Sequence, residues 1–449
     1  MNTLAATFDP EHCLNPALRG MGQSATVAIN ERSNRMRREG RTVYKMGLGQ
    51  SPFPVPEPVV EALKAHASRK AYLEVPGLKE LREAVAEYHQ RAQGVPVSGN
   101  DVMVAPGSKE LMFLLQIAFA GDLLIPTPAW VSYAPQARIA GRKVYMLKTS
   151  AQNGWRLRPE QLDELCRKYG ERPRVLILNY PSNPTGMTLG GAELKSIAEA
   201  ARRNNIVLLS DEIYGELHHE GAHESVARFY PEGTIISSGL SKWCGAGGWR
   251  LGTFAFPKTL HWLREAMTVL ASETYTSTSA PIQYAAVRAF QGGTRIERYL
   301  WLARRILRAI GRRLFARLSA AGLHVERPDG AFYLFVDFGP FRETLLERGI
   351  ADSRQLCEKL LEETGVAALP GADFGSPPEE LTVRMAYVDF DGARALAAAE
   401  TLPADAEIGD EFVLRYAADL VQAVENVAAW VKSPLEAPQS RSHPLEGPM

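Results

Sequence analysis

The sequence predicts an α/β protein: a large domain on a mainly parallel seven-stranded sheet, with a smaller α+β domain beside it. Three features predict it. From Asp101 onward, short β-rich runs alternate with amphipathic runs of helical length. The β-rich runs are almost continuously apolar, as strands covered on both faces must be. A long helical stretch then leads into further strands separated by turns and helices.

Residues 1–45 read as a polar, irregular N-terminal arm. Within it, Asn30–Arg41 holds five arginines in twelve positions, the composition of a solvated helix or arm. Pro52, Pro54, Pro56 and Pro58 exclude regular structure until Val59 starts a helix. The large-domain strands are expected at Val102–Ala105, Leu123–Pro126, Lys143–Leu147, Arg174–Asn179, Ile206–Ser210, Thr234–Ser238 and Thr253–Phe256. Helical patterns fall at Lys109–Ala120, Trp130–Ala140, Pro159–Tyr169 and Ala192–Asn204.

Ala280–Ala320 reads as one long helical stretch. Ile306, Ile310, Leu314 and Leu318 stand at four-residue steps and make one apolar stripe. Small-domain strands follow at Leu323–Arg327, Phe332–Phe338 and Leu381–Tyr387. The pattern Asp410–Val431 sets Phe412, Tyr416, Leu420, Val424 and Val427 on one helical face, as small-domain core. The Pro- and Ser-rich residues 433–449 read as a disordered tail. The expected division is an arm (1–45), a small domain (46–60 with 310–432), a large domain (61–309) and the tail.

The chain of 449 residues carries 51 basic and 51 acidic side chains, so its net charge is zero. Nothing global draws it to a phosphate backbone or an anionic lipid surface, and nucleic acid is not expected as a partner. Hydrophobic residues make up 45% and charged residues 23%, which excludes disorder of the whole chain. Cys13, Cys166, Cys244 and Cys357 form no C-x-x-C pair, so neither a zinc ribbon nor a disulfide framework is indicated. Met1–Pro10 lacks the charge and apolar run of a signal peptide. The most apolar stretch, Leu111–Ala120, falls short of the ~18–20 residues that cross a membrane. A cytoplasmic location is expected.

In an open parallel sheet, ligands bind beyond the carboxyl ends of the strands. The first large-domain strand is followed by Gly107-Ser108-Lys109 at a helix start, where backbone N–H groups and a hydroxyl meet anions. The fourth is followed by Tyr180-Pro181-Ser182-Asn183-Pro184-Thr185-Gly186, a rigid loop that holds Asn183; an X-Pro bond such as Asn183–Pro184 is a candidate for cis. The fifth is followed by Asp211-Glu212-Ile213-Tyr214, where a carboxylate at a buried strand end calls for a cationic partner. The sixth is followed by Gly239-Leu240-Ser241-Lys242, with Arg250 eight residues on. A lysine in such a turn forms a Schiff base if its pKa is lowered. His218, His219 and His223, beside Glu216 and Glu220, match no metal-ligand spacing and read as a surface loop. No metal is expected.

The ordered set Asn183-Pro184-Thr185-Gly186, Asp211-Glu212-Ile213-Tyr214, Ser241-Lys242, Gly248-Trp249-Arg250 and Arg384 resembles the class I/II aminotransferases. These are pyridoxal-phosphate enzymes of fold type I, and the resemblance runs from about Val43 to Ala397. It implies that Lys242 holds pyridoxal 5'-phosphate as a Schiff base and shuttles the substrate proton. Asp211 would pair with the pyridine nitrogen, while Asn183 and Tyr214 would bond the phenolic oxygen. Trp130 would stack on the ring. Gly107, Ser108, Lys109, Ser241 and Arg250 match phosphate-binding positions. Arg384 matches the arginine that grips the substrate α-carboxylate with a bidentate fork, and Gly49 lies in the segment that closes over the substrate.

Tyr72 matches the tyrosine that reaches the phosphate of the neighbouring subunit, which implies a homodimer with shared active sites. Two departures stand out. Gln50-Ser51 replaces a common Glu-Pro after Gly49, and Gly239 stands where many relatives have Ser or Thr, so that one phosphate contact is either missing or supplied by Ser237 or Ser238. Cys244, beside the lysine, reads as a small packing residue.

The implied reaction moves the amino group of an L-amino acid to a 2-oxo acid in a ping-pong cycle. A lyase on the same fold, eliminating at the β or γ carbon or resembling an aminocyclopropane-carboxylate synthase, is the alternative, because the cofactor supplies the chemistry for both. No arginine stands out as a binder of a distal carboxylate. An aromatic or medium-sized neutral donor is therefore the leaning, with aspartate open.

Overall fold

The computed structural model describes residues 13–403 and 405–433. The expected disordered tail lies outside the described residues, except for Ser433. In chain order the strands are β1 (Tyr44–Lys45), β2 (Val102–Ala105), β3 (Asp122–Thr127), β4 (Val144–Lys148), β5 (Arg174–Asn179), β6 (Ile206–Asp211), β7 (Thr234–Gly239), β8 (Gly252–Ala255), β9 (His324–Val325), β10 (Tyr333–Asp337), β11 (Val366–Ala367), β12 (Leu369–Pro370) and β13 (Thr382–Ala386).

The large sheet has seven strands in the order β2-β8-β7-β6-β5-β3-β4. β7, β6, β5, β3 and β4 are parallel neighbours, and β8 runs antiparallel between β7 and β2. β2 is therefore parallel to β7, and the carboxyl ends of β2, β5, β6 and β7 share one edge. Side chains alternate across the sheet. Val175 and Ile177 of β5 pack on one face with helix Ser108–Ala118 and helix His261–Ser272. Leu176 and Leu178 pack on the other with Pro159–Tyr169 and Gly191–Arg203. Burial on both faces explains the near-continuous apolar runs.

The expected elements differ from the observed ones at identifiable places. The arm is not wholly irregular: Ala25–Arg38 is an α-helix that buries Ser33 and Met36, with its arginines gathered toward the end. The expected helix Trp130–Ala140 begins only at Tyr133, which leaves Trp130 in a loop. The stretch 280–320 is two helices, Ala280–Gln291 and Thr294–Ala320. Gly292-Gly293, the pair of weak helix formers between them, makes the break. The C-terminal pattern is likewise two helices, Asp410–Tyr416 and Ala418–Lys432.

The second sheet is antiparallel, in the order β12-β13-β10-β9. In register, Arg384 of β13 stands opposite Phe335 of β10 and Leu369 of β12. β1 pairs in parallel with β11, Tyr44 opposite Val366, and so feeds the Gly47–Pro52 loop toward the first sheet's open edge. Among the described residues no helix is long and apolar enough to cross a membrane.

Candidate active site

A cavity of about 340 Å³ opens at the shared carboxyl edge. Gly49, Ser108, Lys109, Trp130, Asn183, Asp211, Tyr214, Ser241, Lys242, Arg250 and Arg384 all line it. Residues more than 300 positions apart in the sequence, Gly49 and Arg384, thus face one space. Tyr72 is not among them: it is 89% exposed on the surface.

Lys242 stands three residues beyond β7, and its Nζ donates to the Gly49 carbonyl at 2.7 Å. Burial disfavours its ammonium form, and Arg384 adds repulsion that Asp211 only partly offsets. The amine is lowered to about 8. Gly239 leaves no room for a hydroxyl side chain, since a Cβ there would lie 2.7 Å from the Leu251 carbonyl. Ser237 does not replace it at an anion site, because its hydroxyl points to Asp211 at 3.4 Å.

Asp211 ends β6 and is fully enclosed. Burial pushes its carboxyl up to about 6, against hydrogen bonds from Tyr133, the Ile213 N–H and Ser237. The Tyr133 hydroxyl donates at 2.5 Å. A buried carboxylate with hydroxyl donors and no cation is suited to a protonated ring nitrogen. Asn179 fixes the corner, donating to the Asp211 carbonyl at 2.9 Å and accepting the Asn183 N–H at 2.8 Å. In that loop the cis bond is Tyr180–Pro181, not the expected Asn183–Pro184. Tyr214 bonds the Tyr333 hydroxyl at 2.7 Å.

On the β2 side, Gly107 at φ +94 turns the chain into helix Ser108–Ala118. Its first N–H groups lack helical acceptors. Arg250 reaches across to the Pro106 carbonyl at 3.3 Å. Burial, then Arg250, lowers the Lys109 ammonium. Neither Lys109 nor Arg250 has a carboxylate partner among the described residues. The Arg250 guanidinium beside a helix N-terminus suits a phosphate dianion, while the Lys109 ammonium lies over the Trp130 ring, 5.0 Å from its centre.

Arg384 is fully buried between the Tyr333 and Phe374 rings, at 4.8 and 5.2 Å. One terminal nitrogen donates to Asn183 Oδ1 at 3.2 Å and the other to the Gly47 carbonyl. Its Nε is buried without a partner among the described residues. A guanidinium with unused donors and no acid suits a carboxylate ligand.

Thr26, Tyr133, Asn179 and Tyr333 also line the cavity and were missed in the sequence. Tyr133 and Asn179 offered a signal, sitting beside residues that were singled out. The His218–His223 stretch is corrected. It is a loop with Glu220–Ala222 exposed, but His219 is buried and the His223 side chain is only 8% exposed. No group of three or more metal-ligand side chains occurs among the described residues. Cys244 is buried, and burial raises its thiol, as fits a packing residue.

This fold and cavity define a pyridoxal-phosphate-dependent transferase of fold type I. The chain belongs to the family of class I and II aminotransferases, whose sequence profile matches residues 41–399. It is similar to an aspartate aminotransferase of Geobacillus stearothermophilus, 34% identical, over 84% of this chain and 94% of the relative. It is also similar to an asparagine–oxo-acid transaminase of Streptococcus mutans, 32% identical, over 82% of this chain and 92% of the relative. The solved structure of Thermus thermophilus aspartate aminotransferase with maleate superposes with a TM-score of 0.79 at 31% identity, covering 92% of this chain and 98% of that one. The protein is accordingly a transaminase, and the lyase alternative is set aside.

Proposed function

We propose that the protein transfers the amino group of an acidic amino acid or its amide, aspartate first, to a 2-oxo acid. The observation that carries this is the meeting of Lys242, Asp211 and Arg384 in one cavity, with Lys109 at its mouth. Lys109 lines both this cavity and a wider outer cleft between helix Ala25–Arg38 and helix Tyr133–Ile139. A substrate held by Arg384 through its α-carboxylate would extend its side chain toward that mouth. The Lys109 ammonium and the Thr26 hydroxyl then meet a distal carboxylate, and the names of the relatives support the same donor class. The neutral-donor leaning of the sequence reading gives way to this one.

Pyridoxal phosphate, when bound, supplies the electron sink for the carbanion formed at the substrate α-carbon. The chain does the rest. Lys242 supplies a neutral amine to hold the cofactor, and that amine takes and returns the α-proton. Asp211 keeps the ring nitrogen protonated. Asn183 and Tyr214 would bond the phenolic oxygen, and Trp130 would cover the ring. The backbone at Gly107, Ser108 and Lys109, with Ser241 and Arg250, holds the phosphate. Tyr72, exposed outside its own cavity, would reach the phosphate of a second copy of the chain in a homodimer with shared sites.

Three outcomes are expected. Adding aspartate alone, with no oxo acid, converts the visible band of the holoenzyme to the shorter-wavelength band of the amine form, whereas leucine does so far more slowly. Lys109→Met lowers kcat/KM for aspartate by at least about tenfold while leaving a neutral donor little changed, because it strips one partner from a charge pair. Equal losses for both donors would overturn the assignment of Lys109. Third, an amine lowered to about 8 is mostly neutral, hence nucleophilic, above that pH. The rate at which apoprotein takes up pyridoxal phosphate, followed by absorbance, rises from about pH 7, is half-maximal near pH 8 and levels above about pH 9. An ordinary lysine would still be gaining at about pH 10.

A further inference from the structure

The catalytic residues leave one buried ionic cluster without a role, directly behind Asp211. Glu212 follows Asp211 in the chain but faces away from the cavity, and its side chain is 1% exposed. Five donors converge on its carboxylate: His223 Nε2 at 2.9 Å, Gln93 Nε2 at 2.6 Å, Ser225 Oγ at 2.6 Å, Ser210 Oγ at 2.7 Å and, furthest out, the Tyr180 hydroxyl at 3.5 Å. A carboxylate has about four acceptor positions, so this one is saturated. The His223 ring lies 5.3 Å from the Tyr180 ring, and its Nδ1 is buried with no partner among the described residues. The ring is therefore committed to one contact.

The nearer donors come from the end of helix Lys79–Gln93, from β6 and from the 223–225 loop. They converge on the corner Asp211-Glu212-Ile213. That corner carries the Asp211 carboxylate, and its Ile213 N–H bonds the same carboxylate. The corner is tied to β7 by the Glu212 N–H, which donates to the Ser237 carbonyl at 2.9 Å. Burial pushes the Glu212 carboxyl up, but His223 and the hydroxyls outweigh it and hold it low.

We infer that His223 is a positioning residue for the cofactor: by donating to Glu212 it fixes the corner that aims the Asp211 carboxylate into the cavity. The inference rests on the role proposed for Asp211. Removing the imidazole leaves a buried carboxylate short of a charge-assisted bond. That is costly enough for the corner to shift until solvent or another donor reaches Glu212.

The test compares His223→Leu, which removes the donor, with His223→Gln, which keeps an N–H of similar reach, and with the double variant Glu212→Gln/His223→Leu, which removes the charge as well. Apoprotein is titrated with pyridoxal phosphate, and kcat and KM for the amino donor are measured on the loaded enzymes. His223→Leu is expected to weaken cofactor binding at least about tenfold and to lower kcat, with KM within about twofold because the Arg384 side is untouched. His223→Gln and the double variant recover most of both losses.

A His223→Leu protein that is less heat-stable but binds cofactor and turns over like the wild type overturns the inference, as does a double variant no better than the single one. Should His223→Leu not fold, His223→Asn, whose amide falls short of Glu212, is titrated instead, and an unchanged constant overturns it equally. A wild-type chain that takes up no cofactor would instead sink the reading of Lys242 and Asp211.

Discussion

Lys242→Ala is expected to lower kcat by at least about 10⁴-fold, the upper range of general acid–base catalysis. It removes both the group that holds the cofactor and the base that moves the α-proton. No other amine can take over: Lys109 lies across the cavity against the Trp130 ring, 5.0 Å from its centre. Arg384 is untouched, so the donor still binds. Single-turnover absorbance with preloaded cofactor separates binding from proton transfer.

The fold should not suffer. Lys242 is lowered from 10.5 to about 8, so the unfolded chain binds the proton more tightly than the folded one. The folded state is therefore penalised below about pH 8 and recovers as pH rises toward 10.5. Apo Lys242→Ala should melt no lower than wild-type apoprotein at neutral pH, and the two should converge as pH rises through that window. Retained turnover would remove Lys242 from the mechanism. A collapsed melting curve would mean that the loss of activity reports on folding.

Asp211→Asn is expected to lower kcat on the order of 10³-fold, the effect of removing one preorganised electrostatic contact from a buried site. The amide keeps the shape and still accepts the Tyr133 hydroxyl, which now donates at 2.5 Å. What it lacks is charge. A neutral amide does not hold a proton on the ring nitrogen, and the electron sink weakens. Burial, with a smaller push from the Glu212 charge, has brought this carboxyl up to about 6, a cost that a bound cation reverses. Pyridoxal phosphate should therefore bind Asp211→Asn more weakly while Arg384 keeps KM for the donor close to wild type. A variant with unchanged kcat would show that the ring nitrogen needs no anionic partner here.

Much of this was legible in the sequence. β5, β6 and β7 are short apolar runs buried on both faces, so their ends could be read within a residue or two, and with them Asn183, Asp211 and Lys242. Arg384 was found through the ordered set rather than the pattern, because an arginine on a strand looks the same whether it faces water or a cavity. Composition misled at helix Ala25–Arg38, where only Ser33 and Met36 are buried and the apolar signal is faint. It misled again at His219 and His223, whose polar neighbours resemble a loop while the rings pack against the folded chain.

The sequence by itself determined the strand-and-helix order, the edge at which ligands bind and the identity of the chemical groups. Each of these depends on local pattern and on which residue follows which strand. Only the tertiary structure decided that Tyr133 meets Asp211 across 78 positions, that Tyr333 meets Tyr214 across 119 and that His223 closes on Glu212. Those contacts depend on the distance between elements brought together by packing, and no spacing along the chain encodes that distance.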